Sequence, residues 1–170
     1  KEYELELMRD KHDNVVVVKV GTGVGAGIIS DGHLHRGAQG SAGDVGHIQV
    51  TDDPSVTCRC GNVGCLEALA GGEAIGRAGE AAARDGRSPR LRAALDQRGT
   101  VTAEDVARAA SFGDAVAMAM LLDAGRRVGS MLQPFLVARP DEEPRDVNEA
   151  AALQPAERYL MFCDGLEARG

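Results

Sequence analysis

The residues of this chain best suited to chemistry are one histidine and three cysteines that lie close together: His47, Cys58, Cys60 and Cys65. Three thiols and one imidazole are a common closed ligand set for a structural zinc ion, which prefers a tetrahedron of soft or borderline ligands. A Cys-x-Cys pair on a turn can direct both sulfur atoms at one metal, and two glycines in the next loop let the chain curl so that the last thiol completes the set. The spacing predicts a structural Zn²⁺ site with no open position for hydrolytic catalysis.

The alternative for these thiols is a disulfide or simple burial. A Cys-x-Cys pair has poor geometry for a bridge. The sequence shows no secretory signal, which predicts a cytoplasmic, reducing compartment where disulfides are rare. Cys163 lies far from the cluster along the chain and is expected to be an ordinary small side chain.

A second candidate site is a run of glycines that follows the β-branched stretch Val15–Val20; its key residues are Gly21, Thr22, Gly23 and Gly25. Such a loop lets the backbone approach phosphates closely, and the threonine adds a hydroxyl. It formally fits a dinucleotide fingerprint but leads into a second strand instead of a long helix, and no Gly-Lys-Ser/Thr follows. Phosphate binding and a purely structural hairpin both stay open.

These sites need elements to position them. Val15–Val20 predicts a strand, and Asp31-Gly32 predicts a tight hairpin turn with a return strand over 33–36. Helical patterns follow over 66–84, 91–95 and 103–111, the last with Thr102 as N-cap, and again after Gly113-Asp114. Residues 1–14 are predicted to be a helix end or a solvated arm. Strands followed by helices indicate an α/β or α+β unit.

Composition narrows the function classes. The chain has 170 residues, 44% of them apolar, and no stretch that resembles a membrane span, so no membrane partner is expected. Its net charge of −7 and its aromatic content of only 3% argue against a cationic, base-stacking surface for nucleic acid.

Together these motifs resemble the ROK family of bacterial sugar kinases, sugar-responsive transcriptional repressors and uncharacterised relatives. The resemblance is carried by Val-Gly-Thr-Gly-Val-Gly-Ala-Gly-Ile-Ile at 20–29, Ala-Gly-Asp-Val-Gly-His at 42–47 and Cys-Arg-Cys-Gly-x-x-Gly-Cys-Leu-Glu at 58–67. It is ordered over 15–72 and weaker up to 132. It implies an α/β, actin-like ATPase (ribonuclease H-like) fold, present in part, with a zinc-stabilised loop that shapes the sugar pocket.

The resemblance also implies roles for single residues. The family's zinc ligands match His47, Cys58, Cys60 and Cys65, and its sugar contacts match Asp44, His47 and Glu67. The two acids are alternatively ordinary solvated carboxylates, or, for Glu67, an acid that starts a helix. The loop that meets nucleotide phosphates in the kinases matches Gly21, Thr22, Gly23 and Gly25.

Several departures from the family pattern bear on function. Asp44 stands where Glu is usual, a variant that resembles the repressor branch. The kinases' catalytic Asp-x-Asn precedes the strand at Val15, so it and the first nucleotide-binding lobe are expected to lie outside this chain. Asp146-Val147-Asn148 resembles that motif in another place, as a catalytic candidate or as a helix N-cap.

The chain is accordingly divided into a helix end or arm (1–14), a ROK-like sugar- and zinc-binding portion (15–133) and a divergent segment rich in Pro and acidic residues (134–170). We expect it to be a portion of a larger two-lobed protein; a truncated or disrupted reading frame would explain the divergent segment equally well.

Three functions follow. The first is the sugar-sensing effector domain of a ROK transcriptional regulator, a homo-oligomer that reaches DNA only through a segment outside this chain. The second is part of a sugar kinase that uses ATP and Mg²⁺. The third is a zinc-stabilised remnant without a ligand.

Overall fold

A computed structural model describes residues 3–9, 15–30 and 32–137 of the chain. Four strands come first: β1 (Tyr3–Arg9), β2 (Val15–Val20), β3 (Val24–Ser30) and β4 (His33–Leu34). A short 3-10 helix (Val45–His47) follows. The helices are α1 (Leu66–Ala70), α2 (Gly72–Arg84), α3 (Pro89–Arg98), α4 (Ala103–Ser111) and α5 (Ala115–Val137).

The strands form one antiparallel sheet in the order β1-β2-β3-β4. The β-branched run of β2 lies inside this sheet, and Val18 is completely buried. The predicted hairpin is confirmed by the pairing of Ser30 with His33. The return strand ends at Leu34, short of the predicted 33–36.

The expectation of a helix end within residues 1–14 was wrong for residues 3–9, which form strand β1. Tyr3, Leu5 and Leu7 alternate with Glu4 and Glu6, which is the two-residue period of a strand. The strand pairs with β2 and carries a register shift between Glu6 and Met8.

The helices pack around a common apolar core. Leu66 of α1, Leu91 of α3 and Val106 of α4 are each fully buried, and α5 contributes Ala117 and Leu121. The helix predicted over 66–84 is in fact two helices. Gly71 between them has an extended backbone (φ −71°, ψ 158°), and the N–H groups of the next two residues donate to the carbonyls of Gly21 and Thr22.

The ends of the helices follow the predicted capping chemistry. The hydroxyl of Thr102 accepts a hydrogen bond from the Asp105 N–H, and the Asp105 carboxylate accepts one from the Thr102 N–H. The α3 helix is longer than the predicted 91–95, because Ser88 caps it and Pro89 fits its first turn.

The longest helix, α5, continues to Val137, so the predicted boundary between 133 and 134 lies inside it. Among the described helices, none has the length and apolar character needed to cross a lipid bilayer.

Candidate functional site: a Cys₃His cluster beside a glycine loop

The four predicted metal ligands come together in the structure. Nδ1 or Nε2 of His47 and the Sγ atoms of Cys58, Cys60 and Cys65 all lie within 4.8 Å of one another. His47 Nδ1 is 3.7 Å from Cys58 Sγ, and Cys60 Sγ is 3.7 Å from Cys65 Sγ. All three cysteines are free thiols, so the disulfide alternative is not seen among them.

These distances suit a tetrahedral metal. Metal–sulfur bonds of about 2.3 Å give sulfur–sulfur edges of about 3.8 Å, close to the observed 3.7 Å separation of Cys60 and Cys65. The set has four donors and thus fills a tetrahedron without an open position, which is typical of a structural site. The donor set and its geometry fit a bound Zn²⁺.

Backbone hydrogen bonds hold the loop that carries these thiols. Cys58 N–H donates to the Asn62 carbonyl at 2.8 Å, and Gly61 N–H donates back to the Cys58 carbonyl at 3.0 Å. Cys65 forms an isolated bridge with Gln49, which follows the short 3-10 helix. This tight turn brings two thiols together, and the bridge carries the third back to the histidine.

Gly64 is the tightest position of this loop. A Cβ there would lie 1.7 Å from the carbonyl oxygen of Thr51, and its φ is +76°. Its own N–H and carbonyl are both engaged, with Val56 at 2.7 Å and Val50 at 2.8 Å. Only glycine fits this backbone without displacing the chain.

Two of the thiols differ in their proton affinity. Burial, together with the neighbouring Cys60 and Cys58, raises the pKa of the Cys65 thiol to about 12. A hydrogen bond from the Asn62 backbone lowers the pKa of Cys60, outweighing the opposing effect of desolvation. A bound cation would deprotonate the buried thiol, because coordination stabilises the thiolate.

The short 3-10 helix positions Asp44 and His47. Its backbone packs directly on β3: Ala26 N–H donates to the Gly43 carbonyl at 2.7 Å, and a Cβ on Gly46 would lie 2.1 Å from the Val24 carbonyl oxygen. Asp44 precedes this helix and is exposed, and its side chain makes no capping hydrogen bond.

Glu67 is brought to the glycine loop. Its Oε2 accepts a hydrogen bond from the Val24 N–H at 3.1 Å. A Cβ on Gly23 would lie 2.1 Å from that same oxygen. The carboxylate therefore occupies the space that a side chain on the loop would fill. Among the described contacts, no hydrogen bond joins its side chain to that of Asp44.

The glycine loop (residues 21–23) joins β2 to β3. The Gly21 and Thr22 carbonyls accept hydrogen bonds from the N–H groups of Gly72 (2.8 Å) and Glu73 (3.3 Å) at the start of α2. The first turn of α2 is thus engaged by the loop. Within the described residues, the N–H groups of Thr22 and Gly23 have no acceptor, and these two donors with the Thr22 hydroxyl are what the loop can offer a ligand.

Sequence reasoning missed one charged residue of the site. Arg59 lies between two candidate metal ligands, and its Nη2 is 3.3 Å from Glu67 Oε1. It lines a small cleft with Thr22, Thr57 and Glu67. Its place inside the Cys-x-Cys pair is the only sequence signal that could have pointed to it. The catalytic candidate Asp146 lies outside the described residues, as does Cys163.

The described chain is thus a sheet of antiparallel strands followed by helices, with the Cys₃His cluster and the glycine loop at their junction. The chain belongs to the ROK family, whose sequence profile matches residues 4–139. Solved ROK sugar kinases share its fold, and the α/β fold is present in part.

Relatives of two kinds are similar to this chain. A glucokinase of Halalkalibacterium halodurans is 36% identical over 112 residues, which is 66% of this chain and 34% of the glucokinase. The DNA-binding transcriptional dual regulator NagC of Escherichia coli is 35% identical over 149 residues, which is 88% of this chain and 34% of the regulator. The chain spans about a third of the length of these curated relatives.

Among solved structures, a ROK family glucokinase from Streptomyces griseus in complex with glucose and AMPPNP superposes with a TM-score of 0.62 at 31% identity. The match covers 74% of this chain and 41% of the glucokinase. Kinases and regulators therefore both stand among the relatives of this chain, and family membership alone does not separate the two activities.

Proposed function

We propose that this chain is the sugar-binding effector portion of a ROK transcriptional regulator, with a hexose or hexose derivative bound beside a structural Zn²⁺. The metal ligands are His47, Cys58, Cys60 and Cys65. The sugar contacts are Asp44, His47 and Glu67. DNA contact and homo-oligomer formation belong to the whole regulator.

The observation that carries this proposal is the convergence of the metal loop (residues 58–65), Glu67 and the glycine loop, because Arg59, Glu67 and Thr22 line one cleft. Glu67 follows the last thiol by two residues, and its side chain is only 14% exposed and hydrogen-bonded to Val24. A carboxylate oxygen has two lone pairs, so each oxygen of Glu67 can still accept a sugar hydroxyl. A bound metal would fix the loop that leads directly into α1, the helix from which this acceptor projects.

We place the regulator first because a ROK regulator is among the relatives that match most of this chain. The similarity to NagC runs over 88% of this chain, against 66% for the glucokinase. The shorter acid at Asp44 supports the same choice. The kinase remains the second candidate, because the open N–H groups of Thr22 and Gly23 suit a nucleotide phosphate. ATP and Mg²⁺ would be required in that case only.

Isothermal titration of the chain with D-glucose and N-acetyl-D-glucosamine tests sugar binding. Binding to the wild type, lost in Glu67→Gln and kept in the control Asp123→Asn, would support the site. Asp123 is an exposed acid on α5 that pairs with Arg127. A wild-type chain that binds neither sugar nor another hexose of a panel would refute the proposal.

A coupled assay of ADP formation with the same hexoses tests the kinase candidate. Hexose-dependent turnover by this chain would establish the kinase and refute the effector proposal. For the metal, elemental analysis should find one zinc per chain. Cys60→Ser should lower that content, and the control Cys163→Ser, which the sequence places far from the cluster, should not. Metal-free protein with an unchanged Tm would contradict a structural role.

A further inference from the structure

Arg59 is the side chain that connects the metal loop to the two helices behind it. Its backbone lies between the ligands Cys58 and Cys60. Its Nη2 is 3.3 Å from Glu67 Oε1 on α1, and its Nε is 3.5 Å from Glu73 Oε2 on α2. A single guanidinium thus bridges two carboxylates from neighbouring helices.

Each oxygen of the Glu67 carboxylate has its own partner. One oxygen accepts from the Val24 N–H at 3.1 Å, and the other faces Arg59. Together, the Val24 N–H and the Arg59 guanidinium fix the plane of the carboxylate. With the Val24 hydrogen bond alone, the carboxylate can rotate about its last side-chain bond, because that torsion is broad.

Building on the proposed sugar site, we infer that Arg59 positions the Glu67 carboxylate for the ligand and so links the sugar site to the metal loop. The metal fixes the backbone at Arg59 through its two neighbours. Arg59 fixes Glu67, and Glu67 is hydrogen-bonded to the glycine loop. Glu73 orients Arg59 from the other side, and Arg77 in turn pairs with Glu73 at 3.1 Å.

Arg59 and Glu67 together also define the chemistry of the ligand. A guanidinium has five N–H donors, and two of its nitrogens are engaged by the carboxylates of the described residues. The Arg59 side chain is 63% exposed, so its other donors are accessible. Glu67 accepts and Arg59 donates side by side. Two adjacent hydroxyls of a pyranose satisfy such a pair, one donating to the carboxylate and the other accepting from the guanidinium.

The first test needs no ligand. Amide hydrogen exchange of the full chain, followed by NMR, should show faster exchange at Val24 in Arg59→Ala, by about tenfold, because its acceptor is no longer fixed. The control Arg92→Ala removes an exposed arginine that pairs with Asp96 on α3, and it should leave Val24 unchanged. Zinc content should stay at one per chain in both variants. Unchanged exchange at Val24 in Arg59→Ala would overturn the inference.

The second test uses D-glucose and N-acetyl-D-glucosamine in titrations of the same variants. Arg59→Ala should bind the preferred sugar about tenfold or more weakly. Arg59→Lys should recover part of the loss, because an ammonium retains the charge but not the planar fork. Equal affinity in Arg59→Ala and wild type would overturn the inference. Failure of the wild type to bind any hexose would instead refute the proposed function, and exchange at Val24 would still decide whether Arg59 positions Glu67.

Discussion

Replacing Gly64 with alanine isolates the role of a single close approach in the metal loop. A Cβ at this position would meet the Thr51 carbonyl oxygen at 1.7 Å, and φ is +76°. Gly61 provides a matched control within the same loop. Its φ is +90°, but nothing lies within 4 Å of a Cβ built there. Both variants therefore carry a left-handed backbone penalty, and only Gly64→Ala adds a clash with the main chain.

The two penalties have known sizes. An L-residue in the left-handed region costs about 1–2 kcal/mol. Forcing extra atoms into a packed site costs about 1–3 kcal/mol more. Gly61→Ala should then lower the free energy of unfolding by about 1–2 kcal/mol and Gly64→Ala by about 2–5 kcal/mol. The neighbouring backbone cannot move cheaply, since both polar groups of Gly64 are hydrogen-bonded.

Urea denaturation of the zinc-loaded chain, with elemental analysis of each purified variant, measures both effects. Gly64→Ala should also bind less zinc, because relief of the clash shifts the segment that leads into Cys65. Gly61→Ala should keep a larger share of its metal. Equal losses of stability in the two variants would refute the reasoning, since the clash would then contribute nothing.

Three further perturbations give expected outcomes. Gly23→Ala should displace the Glu67 carboxylate, because its Oε2 lies 2.1 Å from the added Cβ. Hexose binding measured by titration should then weaken by about tenfold or more. The control Gly27→Ala, whose added Cβ has no atom within 4 Å, should bind hexose as the wild type does. Burial raises the pKa of Asp105, but hydrogen bonds from Thr102 and Arg98 outweigh it, so the pKa lies below its usual 3.8. This carboxylate therefore stabilises the fold above about pH 4, and the contribution is lost as the pH falls through the lowered pKa. In Asp105→Asn, the free energy of unfolding should depend less on pH over that acidic range. Leu66→Ala removes a fully buried side chain and should lower the free energy of unfolding, measured with denaturant, by about 2–5 kcal/mol.

The metal cluster could be predicted because its signal is local. Four candidate ligands within one short stretch, with glycines among them, restrict how the loop can close, and the predicted convergence of His47 with the three cysteines is confirmed. The identity of the metal stays a prediction. Thr102 and Asp105 were found for the same reason, since a capping box depends on residues three apart.

Features set by contacts distant in sequence were missed. The hydrogen bond between Val24 and Glu67 spans 43 residues, and no motif reports it. Arg59 meets Glu73 only because α2 packs beside the metal loop. Strand β1 was mistaken for a helix end because Leu5 and Met8 also fit a helical face, whereas pairing with β2 decides its structure.

The hydrogen bonds between the glycine loop and α2 make the two a single cooperative unit. The carbonyls of Gly21 and Thr22 are the acceptors for the first N–H groups of α2, at Gly72 and Glu73. The loop cannot swing away from the sheet without exposing those N–H groups and fraying the first helical turn. Local opening at this junction should appear as one event, with the amides of Gly72 and Glu73 showing the same free energy of opening in hydrogen exchange.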